Sequence, residues 1–188
     1  MNKKKRIQLV VLCAVFMIVV IAFIAMKIYQ KNAPEEAKEE TVIYQVLDVD
    51  ASAITEIGII TEEETTNLIK ENDTWKSLEE EAAQIDDSLV ESFLENICQM
   101  TSDTCIENVE DMSQYGLAEP MISVTVQWEN NMYIIKLGDY NSMMQGYYIS
   151  INDENTVYIT DSSIYYTLNK SLDSFKPVSY THLRAHET

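Results

Sequence analysis

The chain has 188 residues, with 31 Asp and Glu against 13 Lys and Arg and a formal charge of −18. That length holds one segment in lipid and one ordinary domain. The acidic balance excludes nucleic acid and anionic lipid surfaces as partners of the acidic part, and leaves cations or a basic protein, or simply a solvated surface.

Charge is unevenly spread. Residues 1–31 hold six of the basic residues and no acid. Residues 1–6, with Lys3, Lys4, Lys5 and Arg6, form a basic segment ahead of Ile7–Met26, a twenty-residue run with no charge. As a helix that run covers roughly 30 Å, the thickness of a bilayer's hydrocarbon core, with its backbone hydrogen bonds closed internally. The basic side predicts a cytoplasmic N-terminus and an extracytoplasmic remainder. The apolar core is longer than that of a cleaved signal, and no small-residue cleavage site follows, so 7–26 is expected to be an uncleaved signal anchor in the cell membrane. Residues 27–41, with NAPEEAKEET over 32–41, read as a juxtamembrane linker.

From residue 42 to 177 the pattern predicts an extracytoplasmic α+β domain: antiparallel strands, one main covering helix and a second, shorter helix. Val42–Leu47 is a first strand or extended lead-in. Ile54–Ile60, Thr65–Lys70 and Thr74–Leu78, separated by Glu62–Glu64 and Glu71–Asp73, predict a meander with Trp75 as a core anchor. Residues 86–100 change period: Val90, Phe93, Leu94, Ile97 and Thr101 fall at helical spacing, and Ser88 with Glu91 fits a capping box, with Asp86 and Asp87 also well placed at the positive helix end. Cys105–Val109 is a further strand. Gly116 suits the left-handed end of a short helical turn, which Pro120 prevents from continuing. Ile122–Trp128 alternates cleanly, Asn130-Asn131 predicts a hairpin turn, and Tyr133, Ile135 and Leu137 alternate back. Gly138–Gly146 reads as a loop, Tyr147–Ile151 and Val157–Thr160 as strands around an Asn152–Asn155 turn, and Asp161–Lys170 as the second helix. Residues 178–188 bring in Arg184, His182 and His186, whereas 32–177 contain no Arg or His. This stretch looks like a reading frame of a sequencing adapter and is expected to be an artefact, with the natural chain continuing past Pro177.

Several landmarks stand in a recognisable order: Leu47-Asp48-Val49-Asp50 before Ile54 and Ile57, Trp75, Ile85-Asp86, Tyr115-Gly116-Leu117 with Pro120, Leu137-Gly138-Asp139, and Tyr147-Tyr148-Ile149. Together they resemble the family called domain of unknown function 4340, found in membrane-anchored bacterial envelope proteins. The resemblance covers about residues 42–177. It implies an α+β extracytoplasmic domain and transfers no catalytic residue. Some relatives accompany envelope transport systems of the gliding-motility type, which implies an accessory role to a transporter as one alternative.

The chemistry-bearing residues point away from catalysis. Without a histidine before residue 178, no Ser-His or Cys-His pair and no His-rich zinc site can form there. Glu62–Glu64, Glu79–Glu81 and Asp48/Asp50 are paired carboxylates of a kind that a hydrolase would need in a cleft. Asn152–Asn155 is a weak calcium candidate beside its plain reading as a turn. Cys98 and Cys105 are either a disulfide or two buried thiols. The loop Asp139–Gln145 offers Tyr140, Met143 and Met144 as an adaptable surface, and Tyr140, Tyr147 and Tyr148 offer amphipathic contacts. No catalytic residue, metal ligand or cofactor is nominated, and the chain is read as a non-enzymatic binding or scaffolding domain. Its partners would be the membrane through 7–26 and an envelope or transporter protein, with no nucleic acid.

Overall fold

The computed structural model describes residues 16–17, 19–27, 42–152 and 154–177. The chain divides into two units, residues 1–41 and 42–188. In the first, residues 16–17 and 19–27 are helical, and Phe16, Met17, Val19, Ile21, Phe23, Ile24 and Met26 are exposed. Among the described residues, no helix is long and apolar enough to cross a membrane. The basic segment 1–6, the rest of the expected anchor, linker residues 28–41 and the expected artefact 178–188 lie outside the described residues.

The second unit is α+β, and its strands pair antiparallel throughout. Strands β2 (Glu56–Ile60), β3 (Thr65–Glu71) and β4 (Thr74–Ser77) form the expected meander. Strands β7 (Ile122–Trp128), β8 (Asn131–Asn141), β9 (Gly146–Ile151) and β10 (Thr156–Asp161) form a second one. The two join where β2 pairs with β7, so the sheet runs β4-β3-β2-β7-β8-β9-β10 and one strand more. Strand β6 (Thr104–Glu107) closes the far edge against β10. The short β1 (Tyr44–Gln45) and β5 (Thr101–Ser102) pair separately.

One sheet face carries the main core. Partners in the ladder share a face, and Ile57 opposite Leu68 and Val126, Val124 opposite Ile135, and Ile122 opposite Leu137 line the buried side. Helix α1 (Asp87–Cys98) lays Val90, Phe93, Leu94 and Ile97 on that side. Each such side chain contributes roughly 1.5–3 kcal/mol on burial. Helix α2 (Ile164–Leu168) adds Ile164 and Leu168, and a 3-10 turn, Leu172–Phe175, adds Phe175. The Phe93 and Phe175 rings meet edge to face at 5.5 Å. The Trp75 indole is 3 % exposed, as expected of an anchor, and its backbone N–H donates to Asp87 at 2.8 Å, tying edge strand β4 to the start of α1.

Four expectations shift. The N-cap of α1 is Asp86 rather than Ser88: its carboxylate accepts the Ser88 N–H at 3.0 Å, because a charged acceptor suits the positive helix end. The first hairpin of the second meander turns at Glu129 and Asn130, with Trp128 opposite Asn131. Glu129 takes the left-handed conformation there, φ 50°. Strand β8 continues through the expected loop to Asn141, absorbing an irregularity between Leu137 and Tyr140. The second helix shrinks to five residues.

The opposite sheet face is covered at its β9-β10-β6 end by a second, small core of Val109, Leu117 and Val157 with Tyr115 and Tyr148. The 3-10 turn Met112–Tyr115 ends at Gly116, φ 69°, in the expected left-handed conformation. This turn packs on β8. A Cβ on Gly138 would overlap the Tyr115 carbonyl and press on Leu117, and one on Gly116 would overlap Asp139. The Tyr-Gly-Leu and Leu-Gly-Asp segments therefore meet through two glycines.

Candidate functional site

Four tyrosines form a continuous ladder of rings across β8, β9 and α2. Tyr140 meets Tyr147 edge to face at 5.0 Å, Tyr147 stacks on Tyr165 at 5.6 Å and 20°, and Tyr165 meets Tyr166 edge to face at 5.5 Å. Tyr140 and Tyr147 are ladder partners on antiparallel strands, which places both on one face. Tyr165 reaches them because α2 packs on that face through Ile164 and Leu168. The inner rings are half-buried and packed against the main core, whereas the outer rings are open: Tyr140 is 47 % exposed and Tyr166 74 %. Burial, and then the neighbouring phenols of Tyr165, Tyr166 and Tyr140, push the Tyr147 hydroxyl above its ordinary value, so it stays a neutral donor. Asn169 donates to the Tyr165 hydroxyl at 3.2 Å.

The loop beside Tyr140 is fixed rather than loose. The Asn141 side-chain oxygen Oδ1 accepts the N–H groups of Met143 at 2.9 Å and Met144 at 3.0 Å. Both methionines then face outward, Met143 at 89 % exposure. Beyond Tyr166, a groove of about 410 Å³ lies between α1 and α2, floored by Phe93 and Phe175 and rimmed by Ser92, Asn96, Thr167 and Lys170. A smaller hollow of about 70 Å³ adjoins Tyr165 and Asn169, with Glu62 and Glu63 on its wall.

Of the residues the sequence singled out, the structure brings Tyr140 and Tyr147 together and turns Tyr148 away. Tyr148 lies on the opposite face, its ring 4.8 Å from Tyr115, and accepts a hydrogen bond from Asn141 at 2.6 Å. The sequence reading missed the role of Tyr165 and Tyr166. Their adjacency was the available signal: successive helical residues lie 100° apart, so two neighbouring tyrosines cannot both point into the core.

Members of the other constellations make structural contacts. Glu79 grips Asn67, accepting its backbone N–H at 3.0 Å and its side-chain amide at 2.5 Å. Burial pushes its carboxyl up, but these bonds outweigh that and hold it below its ordinary value. Glu80 pairs with Lys176, and Glu64 accepts the Leu172 N–H. Asp50 caps the 3-10 turn Ala51–Ala53. Cys98 and Cys105 are free thiols. Burial, then the Asp50 carboxylate, pushes the buried Cys98 thiol up to about 11, which makes it a poor nucleophile. Asn152 spends its side-chain oxygen on the Ile134 N–H at 2.9 Å, and Asp153 lies outside the described residues. Among the described residues no group of three or more His, Cys, Asp or Glu is placed to hold a metal ion.

A family described as domain of unknown function (DUF4340) matches residues 75–179, more than half of the chain. The chain belongs to this family. The match takes in both glycine-bearing segments and the whole tyrosine ladder. No curated protein and no solved structure matches the chain.

Proposed function

We propose that this member of the DUF4340 family is a membrane-anchored, extracytoplasmic binding domain of the cell envelope that recognises its partner without covalent chemistry. The observation that carries the reading is the tyrosine ladder. Tyrosine offers a large amphipathic contact with two side-chain torsions to immobilise, and it is enriched at the energetic centres of interfaces. Here the half-buried Tyr147 and Tyr165 hold the open rings of Tyr140 and Tyr166 in place, so part of the ordering cost of binding is met in the free protein. The flanking Met143 and Met144 extend the surface with polarizable, adaptable contacts.

The membrane part of the reading rests on the basic residues Lys3–Arg6 ahead of the uncharged run 7–26, with the exposed apolar side chains between Phe16 and Met26 as support. Two protein-level arrangements fit the same surface, a scaffold for envelope proteins or an accessory subunit of a transport system, and both place the partner on the ladder. The carboxylates whose acidity is displaced are held in caps and clamps, which favours recognition over hydrolysis.

The test is a photo-reactive residue placed at Tyr140 or Tyr166 of the full chain in its native membrane, with Lys76 on strand β4 as the control position. A discrete, reproducible adduct at the two ladder positions and none at the control is the expected result. Equal labelling at all three positions would sink the recognition surface. Digestion of the domain by protease added to intact cells checks the topology, and its protection while an exposed control protein is digested would reverse it.

A further inference from the structure

We propose that the groove between α1 and α2 takes a carboxylate-bearing glycan of the uronic-acid type, with one sugar ring against Tyr166 and its carboxylate at Lys170. The inference rests on the recognition reading above and names a ligand class for the end of the ladder. It begins with charge. Residues 42–177 carry twenty-six Asp and Glu and five Lys, yet none of the ten residues lining this groove is acidic. Two lysines elsewhere are taken up: Lys76 by Glu71 at 2.7 Å, and Lys176 by Glu80 and Asp173 at 2.8 and 3.0 Å. Lys70 lies over the Trp75 ring. Lys170, half-buried on the groove wall, makes no ion pair with a described residue. On a domain this acidic, a groove lined by no carboxylate and holding one ammonium without an ion pair among the described residues is where a single negative group meets least repulsion and one opposite charge.

The remaining lining selects what that negative group is attached to. A sugar ring has an apolar face of C–H bonds and an edge of hydroxyls. Tyr166 presents an open aromatic face at the groove mouth, and the floor is the edge-to-face pair Phe93–Phe175. Around them stand hydroxyl and amide groups, Ser92, Asn96 and Thr167 among them, which can exchange hydrogen bonds with hydroxyls. At about 410 Å³ the groove falls within the range of small-ligand sites and accommodates one or two sugar rings. An acidic peptide would share the Lys170 contact, but it has no general use for an exposed aromatic face ringed by hydroxyls.

The experiment uses the full chain in detergent, titrated calorimetrically with tetragalacturonate, its neutral methyl ester and tetraglutamate. The expected result is binding of tetragalacturonate that weakens about tenfold with Tyr166→Ala and with Lys170→Gln. It should be kept by Tyr166→Phe and unchanged by Lys76→Gln. The methyl ester should bind more weakly and lose its dependence on Lys170. Absence of tetragalacturonate binding overturns the proposal, as does tetraglutamate binding equally tightly with indifference to Tyr166→Ala, which would assign the groove to acidic peptides. Equal binding of the acid and its ester also overturns it. A protein adduct at Tyr140 and Tyr166 without any uronate binding would leave recognition by the ladder standing and remove this inference alone.

Discussion

Aspartate followed two residues later by serine occurs at Asp50, Asp86, Asp111 and Asp161, and each carboxylate accepts the backbone N–H of its serine at 2.8–3.0 Å. Asp50, Asp86 and Asp111 open a helix or a 3-10 turn, where backbone N–H groups lack internal partners, and Asp161, at the end of β10, closes the turn that leads into α2, whose N-cap is Ser163. The bonds hold all four carboxyls below their ordinary values, chiefly through the serine hydroxyl at Asp50, Asp86 and Asp111, and through the backbone N–H of Ser163 at Asp161. A carboxyl lowered by folding stabilises the fold above its unfolded value, near pH 4, and that contribution is lost as pH falls through the lowered folded value. Asparagine caps without titrating. Replacing the four aspartates by Asn should therefore lower the unfolding midpoint at pH 6 and leave a smaller gap from the wild type at pH 3; a gap independent of pH would contradict this. The glycine pair gives a second residue-scale prediction. Gly138→Ala drives a methyl into the Tyr115 carbonyl and should cost about 1–3 kcal/mol in urea unfolding, through loss of the second core. A cost under about 0.5 kcal/mol would mean that the turn does not dock there. The repeated Asp-x-Ser spacing was legible in the sequence. The close approach of Gly138 to Tyr115 and Leu117, and of Gly116 to Asp139, was not, because it depends on how the turn lies over β8.

At the level of elements, periodicity located nearly everything and mistook mainly ends. Helix α1 was legible from Val90, Phe93, Leu94 and Ile97, since that spacing makes one stripe. Thr101, at the end of the same period, belongs instead to β5, because Gln99 leaves the helical conformation first. The Leu172–Phe175 turn carried no periodic signal, being a single turn. It is nonetheless what closes the helical side: Phe175 is 1 % exposed, its ring meets Phe93, and its carbonyl accepts the Asp86 N–H at 2.8 Å. Phe175→Ala should therefore cost about 3–5 kcal/mol, measured by urea denaturation. A loss below about 1 kcal/mol would show that the turn is not part of the cooperative core.

For the molecule as a whole, strand order was the part the sequence withheld. Local alternation predicts hairpins, and both meanders follow from it, but the β2–β7 join and the placement of β6 beside β10 are long-range pairings with no local signature. The candidate site shows the same limit. Tyr140 and Tyr147 were legible as amphipathic residues near a loop, whereas their continuation through Tyr165 and Tyr166 required α2 to be folded onto β9. Recognition by that assembled ladder is the claim on which the functional reading stands. The most direct measurement is adduct yield from a photo-reactive residue at Met144, beside the ladder, in the wild-type background and in Tyr140→Ala/Tyr166→Ala, with unfolding midpoints compared in parallel. Tyr166 is largely exposed, Tyr140 is about half exposed, and neither belongs to the buried core, so the fold should persist. The account predicts an adduct in the wild type that falls at least about tenfold in the double variant while the midpoint is kept; an adduct of undiminished yield in a folded double variant would contradict it.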